Sequence, residues 1–271
     1  MSSFASRVLR GAVLAFLGVY FAAPFAWLVV APFSTHPSFA VRMPDFTLEN
    51  FPRLLQTRGA VEAFGNSVVM AGFTMLLVTL VATSSAYALS RQSFRGRDLV
   101  LYLLVLFSSV VTGVAAVVPL FTITMKLGLL DTHAGVILVM SGGLLPSSLF
   151  IIKDFVDGIP RAYEEASLVD GATPLQTFVH VALPLCSGGM AVIALLSFVQ
   201  AWDNFLTPYI LLRSPEHYPA SVAIYAFFSE MGLPFLNLVA AYSLLYALPV
   251  LVLYLVIQRV FGFQLHGGIK Q

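Results

Sequence analysis

YEEASLVDGATPLQTFVHVALPL, residues Tyr163–Leu185, interrupts a chain that is otherwise almost continuously apolar. It brings Glu164, Glu165 and Asp170 together, follows them with Gly171, and places Pro174 three residues further on. Pro160 suits the first turn of a helix, and Asp170-Gly171 is a turn signal that ends it. Thr173 to Gln176 has the form of a capping box with Pro174 at the first helical position. The stretch therefore reads as helix, glycine turn, helix. On the first helix Ala162, Ala166 and Val169 share one face at spacings of four and three, while Glu164 and Glu165 project to its sides. Small side chains permit close approach of a partner, and carboxylates permit pairing with a basic one.

The surroundings set the context. With 59% hydrophobic and 10% charged residues and a mean hydropathy of +0.90, the composition lies far outside that of soluble domains. This is an integral membrane protein. A net charge of +1 excludes a strongly basic face for nucleic acid, and the single cysteine, Cys186, excludes an intramolecular disulfide.

Apolar runs give six expected spans, at about 11–33, 65–90, 99–121, 134–152, 185–202 and 237–259. The first is too long for a removable signal peptide and lacks its small-residue cleavage site, so it reads as a retained helix. Basic residues mark the cytoplasmic side. Arg7, Arg10, Arg91, Arg95, Arg97, Lys153, Arg161, Arg259 and Lys270, nine of the fourteen, fall on the side of the two termini. Arg42, Arg53, Arg58, Lys126 and Arg213 fall on the other. Both termini are expected to be cytoplasmic, which puts the 163–185 stretch inside the cell, between spans four and five.

The residues Glu165, Ala166 and Ser167, three more, Gly171, nine more, then Val181, Ala182, Leu183 and Pro184 resemble the EAA motif of permease subunits of binding-protein-dependent ABC importers. Ser167 stands where that motif usually has alanine, and Val181 where it has isoleucine. The carbohydrate branch, and within it the smaller maltose-permease subunit, is resembled further by Asn66-Ser67, by AYALSRQSFRGR at 86–97, by PLFTITMKLGLLDTHAGVIL at 119–138 and by the terminal HGGIKQ. The resemblance implies an all-α type I importer permease fold with about six transmembrane helices, multi-pass in a prokaryotic cytoplasmic (inner) membrane. It divides the chain into an N-terminal helix and first external loop at 1–63, a permease core at 64–262 with its coupling loop at 153–184, and a cytoplasmic tail at 263–271. It also implies that the first helix of the loop docks into a cytoplasmic ATPase subunit, with Glu164, Glu165, Ala166, Ser167, Asp170, Gly171 and Pro184 forming the coupling set. The implied partners are a second homologous permease, two ATPase subunits that hold ATP and magnesium, an external solute-binding protein and membrane lipid.

Within the chain no lysine follows a glycine, so no phosphate-binding loop exists, and neither a zinc-binding H-E-x-x-H nor a G-x-S-x-G nucleophile motif is present. No catalytic residue, cofactor or metal ligand is expected; His36, His133, His180, His217 and His266 lack metal-ligand spacing. Gln200, Trp202, Asp203 and Asn204, in FVQAWDNFLTP, are candidates for the solute pathway, since polar groups at membrane depth are costly unless used. The family has Trp-Asn and then an acidic residue there, whereas this chain has Trp-Asp-Asn. Asn66, Ser67, Ser84, Ser85, Ser108, Ser109 and Thr112 are weaker candidates. The resemblance also implies that the loop at 205–236, with Ser229-Glu230, faces the binding protein. The competing class, a self-sufficient secondary transporter of a small polar solute, would need ionisable groups at midspan, and these are missing.

Overall fold

The computed structural model describes residues 2–35, 45–57, 59–92, 95–110, 116–228 and 235–261. Thr112, the Ser229-Glu230 pair, Arg42, Arg58, His36, His266, Lys270 and the tail from 262 lie outside the described residues, as do the side chains of Arg7, Ser108 and Ser109. The described residues are helical nearly throughout, with an isolated antiparallel bridge between Ser34 and Phe46. In chain order the helices are α1 (Ser2–Val30), α2 (Asn50–Gln56), α3 (Ala60–Arg91), α4 (Arg97–Val110), α5 (Val117–Lys126) and α6 (His133–Asp157). They continue with α7 (Arg161–Val169), α8 (Pro174–Thr177), a π-helical turn (Phe178–Ala182), α9 (Leu183–Leu185), α10 (Ser187–Trp202), α11 (Leu206–Leu211), α12 (Ala220–Ala223) and α13 (Leu236–Phe261).

Among the described residues four segments are long and apolar enough to cross a bilayer: Leu9–Phe33, Ala60–Arg91, His133–Asp157 and Leu236–Val260. Pro174–Leu185 and Ser187–Trp202 make a fifth if taken together, bent by 73°. The expected third span is described as two helices, α4 and α5, on either side of residues 111–115. Along α1 the side chains of Leu14, Phe16, Val19, Tyr20, Phe21 and Phe25 all stand exposed. Such a surface is tenable against lipid or another apolar helix and not against water.

The described residues divide into two compact units. One comprises residues 1–61 and 223–249. Its organising side chain is Asn50, buried at the start of α2, whose Nδ2 donates to Pro32 O at 2.7 Å and Ser34 O at 3.0 Å while Oδ1 accepts from Asn237 at 3.0 Å. These bonds satisfy a polar group that burial would otherwise penalise. Tyr242, fully buried, packs on Phe227 with ring centroids 5.1 Å apart.

The second unit comprises residues 62–222 and 250–271 and carries the site. Its core gathers Ala82, Ala86 and Leu89 from α3, Leu149, Ile152 and Val156 from α6, and Cys186 and Ile193 beside and within α10. Small residues set the helix separations, as is common where membrane helices touch. At Gly189 a Cβ would lie 2.5 Å from Phe155 Cγ and 2.8 Å from Ile152 Cδ1, so α6 and α10 meet at a distance that glycine alone permits.

Candidate functional site

The 163–185 stretch folds as its local signals dictate. Pro160 sits at the N-cap position and α7 starts one residue later, at Arg161. At its other end Gly171 takes φ +88°; its N–H donates to Leu168 O at 3.1 Å and the Ala172 N–H donates to Ser167 O at 3.0 Å. This pair of bonds is the Schellman stop, which satisfies carbonyls that the helix end leaves open and requires a left-handed residue. Two residues later Thr173 Oγ1 accepts from the Gln176 N–H at 3.3 Å while Gln176 Oε1 accepts from the Thr173 N–H at 2.8 Å, a reciprocal capping box that starts α8.

The two acidic neighbours take opposite roles. Glu165 is exposed, as are Ala162, Ala166 and Asp170, and Val169 is 88% exposed. Leu168 and Leu175 extend this open surface with further apolar area. Glu164 does not project to the side as expected. It is 8% exposed and turned onto the end of α3, where Oε1 accepts from Arg91 Nε at 2.7 Å and Oε2 accepts from the Tyr87 hydroxyl at 2.9 Å. The reason is geometric. One turn separates Tyr87 from Arg91, so both donors converge on one carboxylate from the same helix face.

Ser167, the departure from the motif's alanine, also has work to do. Its Oγ donates to Glu164 O at 2.9 Å and lies 2.7 Å from Thr177 Oγ1, tying α7 to α8. Pro184 lies exposed in α9. Arg161, at the start of α7, donates to Ser90 O at 3.4 Å. Three of the basic residues expected on the cytoplasmic side, Arg91, Lys153 and Arg161, thus sit at the α7 end of this unit, Arg91 and Arg161 at the α3–α7 junction and Lys153 near the end of α6.

The pathway candidates separate. A cavity of about 380 Å³ is bounded by residues of α5, α6, α10 and α11, with Gln200, Asn204 and Thr207 as polar groups on otherwise apolar walls. Trp202 and Asp203 do not line it. Trp202 is buried and stacks on Phe198, with centroids 5.6 Å apart, and Asp203 is exposed at the end of α10. Asn204 is partly committed, since Oδ1 accepts from the Thr207 N–H at 3.0 Å.

At the other end of α3 and α6 lies a polar cluster that no local signal announced. Asp131, in the left-handed region at φ +58°, accepts on Oδ1 from the N–H groups of Arg213 (2.8 Å) and Ser214 (3.0 Å) and lies 3.2 Å from His217 Nδ1. The Ser214 hydroxyl bonds Oδ2. Bonds from the Ser214 side chain, then from the Ser214 and Arg213 backbone, hold the Asp131 carboxyl well below the usual carboxylate range. Asn66 donates to Glu216 O (2.8 Å) and Tyr218 O (3.1 Å), and Ser67 Oγ accepts from the Ala220 N–H at 2.8 Å. Asn66 and Ser67 therefore fasten a loop and do not line the cavity. Among the described residues no group of His, Cys, Asp and Glu is placed to hold a metal ion.

Comparison with known proteins agrees with this geometry. The family described as the binding-protein-dependent transport system inner membrane component matches residues 88–264, and the chain belongs to it. It is 32% identical over 243 residues to the inner membrane ABC transporter permease protein YcjP of Escherichia coli (strain K12), covering 88% of this chain and 84% of that one. It is 30% identical over 263 residues to the galactooligosaccharides transport system permease protein GanQ of Bacillus subtilis (strain 168), covering 94% and 92%. A chain of a bacterial ABC transporter involved in the import of the acidic polysaccharide alginate shares the fold, with a TM-score of 0.83 at 22% identity over 96% of this chain and 98% of that one. The protein is accordingly a membrane-spanning permease component, multi-pass in a prokaryotic inner membrane.

Proposed function

We propose that this chain is one of two homologous permease subunits of an ABC importer for a sugar or related solute. Solute arrives from an external binding protein, and ATP hydrolysis on two separate ATPase subunits, which hold the nucleotide and magnesium, drives transport. The observation that carries the reading is the α7 surface. A nine-residue helix ended by a Schellman stop and anchored by a buried carboxylate presents Glu165, Ala166 and Val169 outward. A helix held at both ends transmits displacement, and a carboxylate beside small residues suits a cleft with a basic wall. On this reading α7 and both termini lie on the cytoplasmic side.

The sugar assignment draws support from relatives named for oligosaccharide and polysaccharide import. The cavity is compatible with it: amide and hydroxyl groups from Gln200, Asn204 and Thr207 suit sugar hydroxyls, and apolar walls suit C–H faces.

The test is co-purification of the ATPase subunits with the chain, combined with uptake into proteoliposomes that contain ATP. Glu165→Lys is expected to abolish both while membrane insertion stays normal. A pair broken across a desolvated contact costs about 3 to 5 kcal/mol, whereas an exposed pair contributes under about 1 kcal/mol. Unchanged co-purification and uptake would remove Glu165 from the interface, and uptake without ATP would favour a secondary transporter.

A further inference from the structure

Arg91 is the last residue of α3, yet its guanidinium reaches two other elements at once. Nε donates to Glu164 Oε1 of α7 at 2.7 Å, a bond between residues 73 apart in sequence. Nη2 donates to the carbonyls of Val156 and Ile159, each at 3.0 Å, at the C-terminal end of α6. The side chains of Arg91 and Glu164 retain 12% and 10% of their exposure. Tyr87 adds a second bond to Glu164 at 2.9 Å, and its ring packs on Phe178 of the π turn at 4.7 Å. A planar fork with several fixed donors can hold two partners in a set relative position, which a lysine ammonium cannot do in the same way. The carbonyl end of α6 carries the negative pole of the helix, so the cation is stabilised from two directions.

Chain connectivity alone would carry a displacement of α7 into α6, three residues before it, and into α8, after the Gly171 turn. It offers no such route to α3. We propose that Arg91, clamped by Glu164 and Tyr87, is the positioning residue through which movement of the ATPase-docked α7 helix is conveyed to α3 and α6 together. Glu164 then acts inside the permease and Glu165 at its surface. This joint rests on the docking assignment made above for α7.

The experiment uses the whole importer in proteoliposomes, reading solute moved per ATP hydrolysed alongside the amount of ATPase subunit bound. Arg91→Lys keeps the charge and loses the fork. It is expected to bind ATPase subunits as the wild type does while solute per ATP falls about tenfold. Tyr87→Phe keeps the ring contact with Phe178 and removes one bond to Glu164, and is expected to lower the ratio about two- to fivefold. Combining Arg91→Lys with Glu164→Gln is expected to be no worse than the more damaging single change, since both break one joint.

Wild-type solute per ATP in Arg91→Lys and Tyr87→Phe, with ATPase subunits bound normally, overturns the joint and leaves the docking assignment standing. If Arg91→Lys cannot be recovered from membranes, Tyr87→Phe decides alone, and an unchanged ratio in that variant overturns the joint. ATPase subunits that fail to bind the wild-type chain, or to crosslink to a cysteine at position 169 in a Cys186→Ala background, refute instead the docking assignment beneath it.

Discussion

The two ends of the α3–α6 pair are both fastened by polar side chains, but in different currencies of interaction. At the α7 end a charged side chain meets a charged side chain, Arg91 and Glu164, largely buried, with Tyr87 as a third member, while Arg91 also donates to the carbonyls of Val156 and Ile159. At the Asp131 end side chains mostly meet backbone. One carboxylate collects the N–H groups of Arg213 and Ser214, Asn66 donates to two carbonyls, and Ser67 accepts from one N–H. Backbone partners cannot be exchanged or swung away without unmaking the loop, so that end is built to hold a shape. A buried ion pair has two states worth distinguishing, made and broken, and breaking it by losing one member is expensive. On the proposed coupling role, the end assigned to pass on movement has the pair, and the opposite end has the backbone cage.

Between the two ends, the larger effect is expected at Gly171. An added Cβ there would meet nothing within 4 Å, so the whole penalty is backbone strain at φ +88°. A β-branched side chain in that region costs on the order of 1 to 2 kcal/mol. Gly171→Val should leave the permease inserted, yet reduce uptake strongly by tilting α7, with ATP hydrolysis lost or no longer stimulated by the loaded binding protein. Gly171→Asn, which tolerates the left-handed region better, should retain more uptake. Equal, near-normal uptake by both would show that the turn does not need glycine geometry.

A smaller effect is expected at the opposite end. Asp131→Ala leaves the Arg213 and Ser214 donors unmatched and should loosen the 212–219 loop, detected as faster maleimide labelling of a cysteine at Glu216. ATPase binding should be untouched, and uptake should fall less than in Gly171→Val. A loss of ATPase binding in this variant would erase the contrast between the two ends. Acidification should do least. The folded Asp131 carboxyl is held below its ordinary value, so its contribution is present above that ordinary value, about 3.9, and is lost only as pH falls through the depressed one. Labelling at position 216 should therefore be unchanged between pH 7 and about pH 5; a rise in that window would mean the carboxylate is not what holds the loop.

What could be read from the sequence follows the same division between near and far. The Gly171 stop and the Thr173–Gln176 box were legible because each involves residues within five positions of one another, where turn chemistry decides. Membrane insertion and most spans were legible from hydropathy, which needs no partner. The inward turn of Glu164 was not, since it depends on Arg91 lying 73 residues away and on the helix packing that brings them together. For the same reason Asn66 and Ser67 read as pathway candidates when their partners lie about 150 residues on. Trp202 shows the limit of residue-type reasoning: an aromatic in a plausible position stacks on Phe198 and not on the cavity.

The π-helical turn at Phe178–Ala182 has a consequence for angular phase. Thr177 and Ala182 are both buried, as is Cys186, giving inward positions spaced first by five residues and then by four. In an unbroken α-helix a spacing of five would rotate the second side chain about 140° away from the first, out of the interior. The wider turn absorbs one surplus residue and returns Ala182 to the inward side. The nine residues between Gly171 and Val181 thus deliver Val181–Pro184 to the orientation that eight would reach in a plain α-helix. Deleting Val179 should convert the turn to α-helix and leave uptake measurable, whereas inserting one alanine after Val179 should swing everything beyond it by about 100° and abolish uptake.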